Sequence, residues 1–417
     1  MRKGLWGLAD HALLSGANAA GLLVLARVLP TAEFGRFVIA YATLVLANSV
    51  QTALVTQPHN VLGAARRGEE YRSYTSSTAM SQLAFAGLVA LLAAAAAAAL
   101  ELAGAGTAVV VALVPAALGW QLQEFVRRVL YTEGRVRAAF ANDVISYGGQ
   151  PAAFVLLWRV DELTAATALY GLAATSLLGA GIGAFQLRGS FSRRWSGAAW
   201  RENWRFGKWL GGGAIAAAAS VNLFFYGAAV FAGTAAAGTL KAAQLLLGPA
   251  TVVILFLGTV LPIRFAHALD RAGSAALRAD ASRAVMFTGP LVLVYSLCIT
   301  VFADDALRLV YGGRYGDAGP VVALFALYTL VTYGTQVVAA ALKAHRRTRE
   351  IYRANMVTLG VSVTAGLLLV AALGATGAAL GLIVAAAVGA LVLVRGYAAD
   401  VSALAAPPPG LETRGRG

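Results

Sequence analysis

Leu25-Ala-Arg-Val-Leu-Pro-Thr-Ala-Glu-Phe-Gly-Arg-Phe37 separates two long apolar runs near the start of the chain. About 25 mostly apolar residues precede this pivot and about 20 follow it. Each run is long enough to cross the ~30 Å hydrocarbon layer of a bilayer as an α-helix. Pro30 has no amide proton and stops the first helix. Glu33 can accept from the free amides at the start of the second. Gly35 removes a side chain where two helices must approach closely. The stretch reads as the turn of a transmembrane hairpin, and the hairpin unit recurs along the chain.

Composition agrees. Of 417 residues, 59% are hydrophobic and only 12% charged, against roughly 25% charged in soluble domains; the mean hydropathy is +0.71. The expected fold class is an all-α polytopic membrane protein with no large soluble domain. A net charge of +14 does not indicate nucleic acid, because the charges sit in short loops between apolar spans. The one cysteine, Cys298, excludes a disulfide within the chain and is expected to be a small buried hydrophobe. Met1-Arg-Lys3 precedes an apolar run that is too long for a signal peptide and carries Asp10 and His11, so it reads as an uncleaved first span.

Twelve spans are expected, at about 5–29, 37–56, 76–100, 107–130, 138–158, 163–185, 209–231, 239–261, 284–303, 318–341, 354–373 and 375–395. Pro115, Pro151 and Pro249 should kink the fourth, fifth and eighth. With the N-terminus inside, 27 of the 33 Lys and Arg residues fall on inner segments and five on outer ones. This split satisfies the positive-inside rule and puts both termini in the cytoplasm. Thr31-Ala-Glu-Phe-Gly35 has an echo in Thr234-Ala-Ala-Ala-Gly238, again between two apolar spans. The echo and the even span count suggest two six-helix bundles, 1–187 and 209–395, related by a pseudo-two-fold axis along the membrane normal. The linker 188–208 is basic and rich in tryptophan, with Trp195, Trp200 and Trp204 followed by Trp209. It suits a short helix in the inner headgroup layer or a site for an anionic headgroup. The tail 396–417, with Pro407-Pro-Pro-Gly410, is expected to be disordered.

Catalytic signatures are absent. There is no P-loop and no HExxH, and His11, His59, His267 and His345 are scattered, so no cofactor or metal is expected. Gly179-Ala-Gly-Ile-Gly183 lies within an apolar span without a preceding strand and reads as a close-packing face. Short outer loops leave no room for a glycosyltransferase or polymerase site. Asp304-Asp305 reads as the start of an interfacial helix.

Charges inside spans are costly and are candidates for function. On the fourth span Trp120, Gln121, Glu124, Arg127, Arg128 and Tyr131 form a polar stripe. Asn142 and Asp143 lie on the fifth span; Asp10, His11 and Asn18 on the first; Asn48 and Gln51 on the second. Asn222 and Tyr226 lie on the seventh, Lys241 and Gln244 on the eighth, Tyr333 and Gln336 on the tenth, and Asn355 begins the eleventh. Asp10, Glu124 and Asp143 suit a hydrated cavity; Arg127, Arg128 and Lys343 could equally snorkel to an interface. Spread over both halves, the polar groups suit a pathway between two bundles rather than a one-sided active site.

Four pieces carry a resemblance: the Leu25–Gly35 hairpin, Ala242-Ala-Gln-Leu-Leu-Leu-Gly-Pro249 followed by Val260-Leu-Pro262, Leu309-Val-Tyr-Gly-Gly-Arg-Tyr-Gly-Asp-Ala-Gly-Pro320, and Leu373-Gly-Ala-Thr-Gly-Ala-Ala-Leu-Gly381. In order and spacing they resemble the oligosaccharide flippases of bacterial polysaccharide synthesis. That superfamily also holds the multidrug and toxin extruders and the lipid II flippase. Lys241 departs from the pattern, since that helix start is usually less polar. The resemblance implies a non-enzymatic transporter of the bacterial inner membrane. It would move a polyprenyl-diphosphate-linked oligosaccharide outward by alternating access, amid membrane lipids and other polysaccharide-assembly proteins. Arg127, Arg128 and Lys241 would then pass the diphosphate. Trp120, Tyr226 and Tyr333 would stack on sugars, and Asn222, Gln244 and Gln336 would bond hydroxyls. Asp10, Glu124 and Asp143 would couple transport to a proton or Na⁺. The competing readings are an ion-coupled drug antiporter of the same fold and a non-transporting component of polysaccharide assembly. A major-facilitator transporter ranks lower, because Gly63–Arg72 lacks that family's signature core.

Overall fold

α1 (Arg2–Val28) stops where Pro30 interrupts the amide ladder, and α2 (Thr31–Gln51) starts at once, with Phe34 N–H donating to the Pro30 carbonyl at 2.9 Å. The chain was analysed as a computed structural model, which describes residues 2–104, 106–194 and 196–405. All its regular elements are helices, with no strand among the described residues. Glu33 does not cap its own helix: its Oε2 accepts from the Ala165 N–H at 3.1 Å, at the start of α7 (Ala165–Gln186). The carboxylate therefore ties the hairpin turn to a helix 132 positions away.

Among the described residues, nine helical segments are long and apolar enough to span a bilayer. Two are far too long for one crossing. α10 (Gly248–Val301) has 54 residues, about 80 Å if straight. It reverses at Ala272 and Gly273, where Gly273 has φ 68° and ψ −165°. Arg264 and Asp280, 16 positions apart, consequently meet at 3.2 Å; a straight helix would hold them about 24 Å apart. The other long segment contains α13 (Thr348–Val361) and α14 (Leu367–Ala405), joined through a π-helical turn. It reverses at Gly374, so Gly381 meets Gly366, Gly389 meets Thr358, and Gly396 meets Glu350. α5 (Val136–Ser146) and α6 (Gly149–Arg159) together make one more crossing. Counted by these reversals, the described helices make twelve crossings, as suits a polytopic all-α membrane protein.

The remaining spans are α3 (Gly68–Leu102), α4 (Ala108–Thr132), α8 (Gly197–Ala232), the pair formed by α9 (Thr234–Leu246) with the first arm of α10, and α12 (Gly319–Ala344). α4 packs against α3 and α7 in the first half, and α12 against α10 and α14 in the second. α2 joins the halves by lying against α8 and α9. α11 (Ala303–Tyr311) is a short helix with Asp304 and Asp305 in its first turn, where the helix dipole favours them.

Several expectations need correction. The fifth crossing breaks at Tyr147–Gly148, and Pro151 sits in the first turn of the helix that follows. Pro115 lies inside an unbroken α4. Pro249 opens α10 rather than interrupting a helix. The second half of the linker is no separate surface helix: from Gly197 it is continuous with the seventh span. Helix also continues through residues 396–405 of the tail, while 406–417 lie outside the described residues, as does Trp195. Cys298 is exposed on the outer surface of the bundle rather than buried.

Gly374 offers a test of the last reversal. Its φ of 57° and ψ of −129° suit glycine alone, and an added Cβ would meet Ala232 at 3.1 Å. Gly374→Val should cost about 1–3 kcal/mol and lower the melting temperature of the detergent-solubilised protein. Gly16→Ala, with nothing within 4 Å of the added carbon, should leave it unchanged.

Candidate functional site

The polar stripe of α4 turns inward onto α1 and α5. Arg127 is at its centre: Nη2 donates to Asp10 Oδ2 at 2.8 Å and Nε to Asp143 Oδ2 at 2.6 Å, while Nη1 lies 3.6 Å from Glu124 Oε2. The side chains of Arg127, Asp10 and Asp143 are 7%, 1% and 0% exposed. Glu124 also accepts from Arg128 Nε at 2.5 Å, and Arg128 reaches partly into solvent. Gln123 donates to Asp143 Oδ1 at 2.8 Å and to Ser146 Oγ at 2.7 Å. The Tyr131 hydroxyl donates to Asp10. Three carboxyl groups thus face two guanidiniums. Asp10 Oδ1, Gln123 Oε1 and both polar atoms of the Asn142 side chain are buried without a partner. Low dielectric makes such a network strong when paired and costly when broken.

A second site lies on the seam between the halves, where the echo of the hairpin motif takes physical form. A Cβ on Gly35 would run into the Thr234 carbonyl, and one on Gly238 would press on the Thr31 carbonyl and the Gly35 backbone. Equivalent residues contact each other reciprocally, the mark of a two-fold interface. Beside it Arg27 Nη1 donates to the Leu309 and Val310 carbonyls at 3.1 Å each, and Tyr315 OH donates to the Ala26 carbonyl at 3.3 Å. These contacts close the seam at the hairpin end.

Lys241 lies deeper on the same seam. Its Nζ donates to Gln244 Oε1 at 2.8 Å and lies 5.5 Å from the Phe225 ring centre and 5.9 Å from that of Tyr41. No carboxylate among the described residues lies at ion-pair distance from it. Tyr41 stacks on Trp120 at 5.4 Å and donates to Asn18 at 2.8 Å, while Trp120 Nε1 donates to Tyr147 OH at 3.1 Å. An aromatic bridge therefore runs from the cation of the second half into the first. Tyr226 joins it from α8 through a 2.9 Å bond to Thr43 of α2.

The candidate residues divide accordingly. Asp10, Glu124, Asp143, Arg127 and Arg128 form one cluster; Lys241, Gln244, Trp120 and Tyr226 gather at the seam. Asn222 bonds its own helix at the Ala218 carbonyl. Tyr333 bonds Thr288, and Gln336 packs on Gly258, so both serve the contact of α12 with α10 rather than the seam. Arg127 is spent on carboxylates and is not a free cation. Tyr41, Thr43, Gln123 and Tyr147 were missed. Tyr41 follows Phe37 at i+4 and precedes Leu44 at i+3, a helical stripe that could have marked it as inward-facing. Among the described residues no three His, Cys, Asp or Glu side chains converge on a metal-sized site.

No family model and no curated protein matches the sequence. Solved structures do. An inward-facing multidrug resistance MATE family transporter of the MOP superfamily aligns with a TM-score of 0.71 at 14% identity, over 94% of this chain and 95% of its own. The lipid II flippase MurJ, in an inward closed conformation, aligns at 0.69 and 12% identity, over 94% of this chain and 87% of its own. An outward-facing MATE family transporter aligns at 0.56 and 15% identity, over 96% and 93%. At these identities the likeness concerns architecture: the chain has the fold of the MATE and MurJ transporters.

Proposed function

We propose that this protein is a transporter that moves a polyprenyl-diphosphate-linked oligosaccharide across the cytoplasmic membrane by alternating access, with both termini in the cytoplasm. The observation that carries the reading is Lys241, a cation within a membrane-spanning bundle, on the seam, with no carboxylate at ion-pair distance among the described residues. An intramembrane charge is costly unless it has a partner or a task. An anionic ligand supplies the partner, and Tyr41, Trp120 and Tyr226 offer ring faces and hydroxyls for sugars. The diphosphate role assigned to Arg127 passes to Lys241. Asp10, Glu124 and Asp143, three carboxyl groups facing the two guanidiniums of Arg127 and Arg128, are left as the coupling group for a proton or small cation. In this reading residues 1–187 and 209–395 are the two moving units and 188–208 connects them.

Lys241→Gln removes the charge and keeps a hydrogen-bonding group. Losing a charge-assisted bond of about 1.5–3 kcal/mol should weaken binding of a short-chain polyprenyl-diphosphate oligosaccharide about 10- to 100-fold in detergent. In cells it should leave lipid-linked repeat units accumulated and surface polymer reduced. Unchanged affinity in a folded variant would remove the headgroup role. Energised efflux of cationic dyes from proteoliposomes, insensitive to Lys241→Gln, would favour the drug-antiporter alternative.

A further inference from the structure

A groove unrelated to the seam lies where α3 meets the start of α8. Met80, Ser81, Ala84, Phe85, Leu88 and Trp200 line it, around a volume of about 380 Å³. Met80, Leu88 and Trp200 are exposed on the side the bundle turns to the bilayer, beside Leu83, Leu91 and Leu92. The rim is built rather than loose. Ser76 Oγ accepts from Ser192 N–H at 2.8 Å, and Ser77 Oγ accepts from Ser196 N–H at 2.9 Å, strapping the linker to α3.

The rim is also basic. Arg194 lies two positions before Ser196 and within electrostatic reach of Glu69, and Arg201 directly follows Trp200; both are exposed, and neither has a carboxylate at ion-pair distance among the described residues. Arg193 and Arg205 extend the same surface. Trp200 and Trp204 stack at 6.4 Å and are about half exposed. Tryptophan beside arginine is the composition of the headgroup layer. An apolar groove open to the bilayer, with the exposed guanidiniums of Arg194 and Arg201 close in sequence to its lining residues, matches one molecule that the bilayer itself supplies.

We propose that this groove binds an anionic phospholipid, with an acyl chain between α3 and Trp200 and the phosphate held by Arg194 and Arg201. Because the groove joins a helix of the first half to the first helix of the second, the bound lipid staples the connecting strap. The site is independent of the transported substrate.

The test uses the full-length protein in phosphatidylcholine nanodiscs titrated with chain-brominated phosphatidylglycerol. The quenching lost on Trp200→Phe reports the groove. Half-quenching is expected at a low mole fraction of the anionic lipid. Arg194→Gln with Arg201→Gln should require about 30-fold more, from the electrostatic contribution of two basic residues. Ala84→Leu, which fills the groove and keeps the charges, should abolish quenching at Trp200. Equal quenching by brominated phosphatidylcholine would mean bulk lipid only and would overturn the proposal. So would displacement of phosphatidylglycerol by stoichiometric polyprenyl phosphate, which would assign the groove to the carrier lipid.

Discussion

Replacing Arg127 with methionine should cost about 3–5 kcal/mol and leave little folded protein, because one side chain is the ion-pair partner of Asp10 and Asp143 and lies beside Glu124, all of them buried. Asp10 and Asp143 are 1% and 0% exposed, so water cannot replace the guanidinium. Arg127→Lys should fare only slightly better: a single ammonium cannot span partners on α1 and α5 with the two-sided fork of Nε and Nη2. The decisive comparison adds Asp10→Asn and Asp143→Asn to Arg127→Met. Removing the charges together should recover most of the lost stability, since a neutral cluster no longer carries unpaired ions. Melting curves of the purified proteins in detergent measure all three. A single Arg127→Met variant melting like the wild type would show that the carboxylates are solvated or protonated without it. If the neutralised triple variant folds but transport no longer responds to an imposed pH or Na⁺ gradient, the coupling role of the cluster gains its first direct support.

Gly35→Val should open the seam at the hairpin end. The Thr234 carbonyl occupies the place the new Cβ needs, and backbone cannot swing aside as a side chain can. Overpacking of this kind costs about 1–3 kcal/mol. On the alternating-access reading only the closed arrangement pays that cost, so 2 kcal/mol shifts the equilibrium toward the open one by about 30-fold. A cysteine at Ala237, which is 0% exposed, placed in a Cys298→Ser background, should then react far faster with a membrane-impermeant maleimide. Gly238→Val should behave alike, because its carbon is directed at Thr31 and Gly35. The two changes should be strongly non-additive, since either one alone separates the same pair of backbones. Unchanged labelling in folded variants would mean that the seam does not open at this point.

The reciprocity of these contacts explains why part of the site was legible early. A motif repeated at a spacing of half the chain marks two elements that a two-fold axis brings together, and glycine at the same place in both marks a close approach. The close approach was expected within the first hairpin, however, and it occurs between the halves. Glu33 illustrates the same limit: its charge suited a helix start, but the start it serves is that of α7.

Local chemistry written along the chain determined the fold class, the pivot at Pro30, the crossings and the concentration of charge in loops. Apolar length, turn residues and charge placement act within a few residues of one another and need no partner to be read. Which charges would be free was decided by tertiary structure alone. Arg127 and Lys241 are both basic residues in apolar surroundings, yet one meets Asp10 from 117 positions away and the other, among the described residues, meets Gln244 and ring faces. Tyr333 and Gln336 carry the right groups and face α10. The rotation of each helix about its axis sets these pairings, and it is fixed by how the side chains of twelve crossings fit together, which no single span encodes.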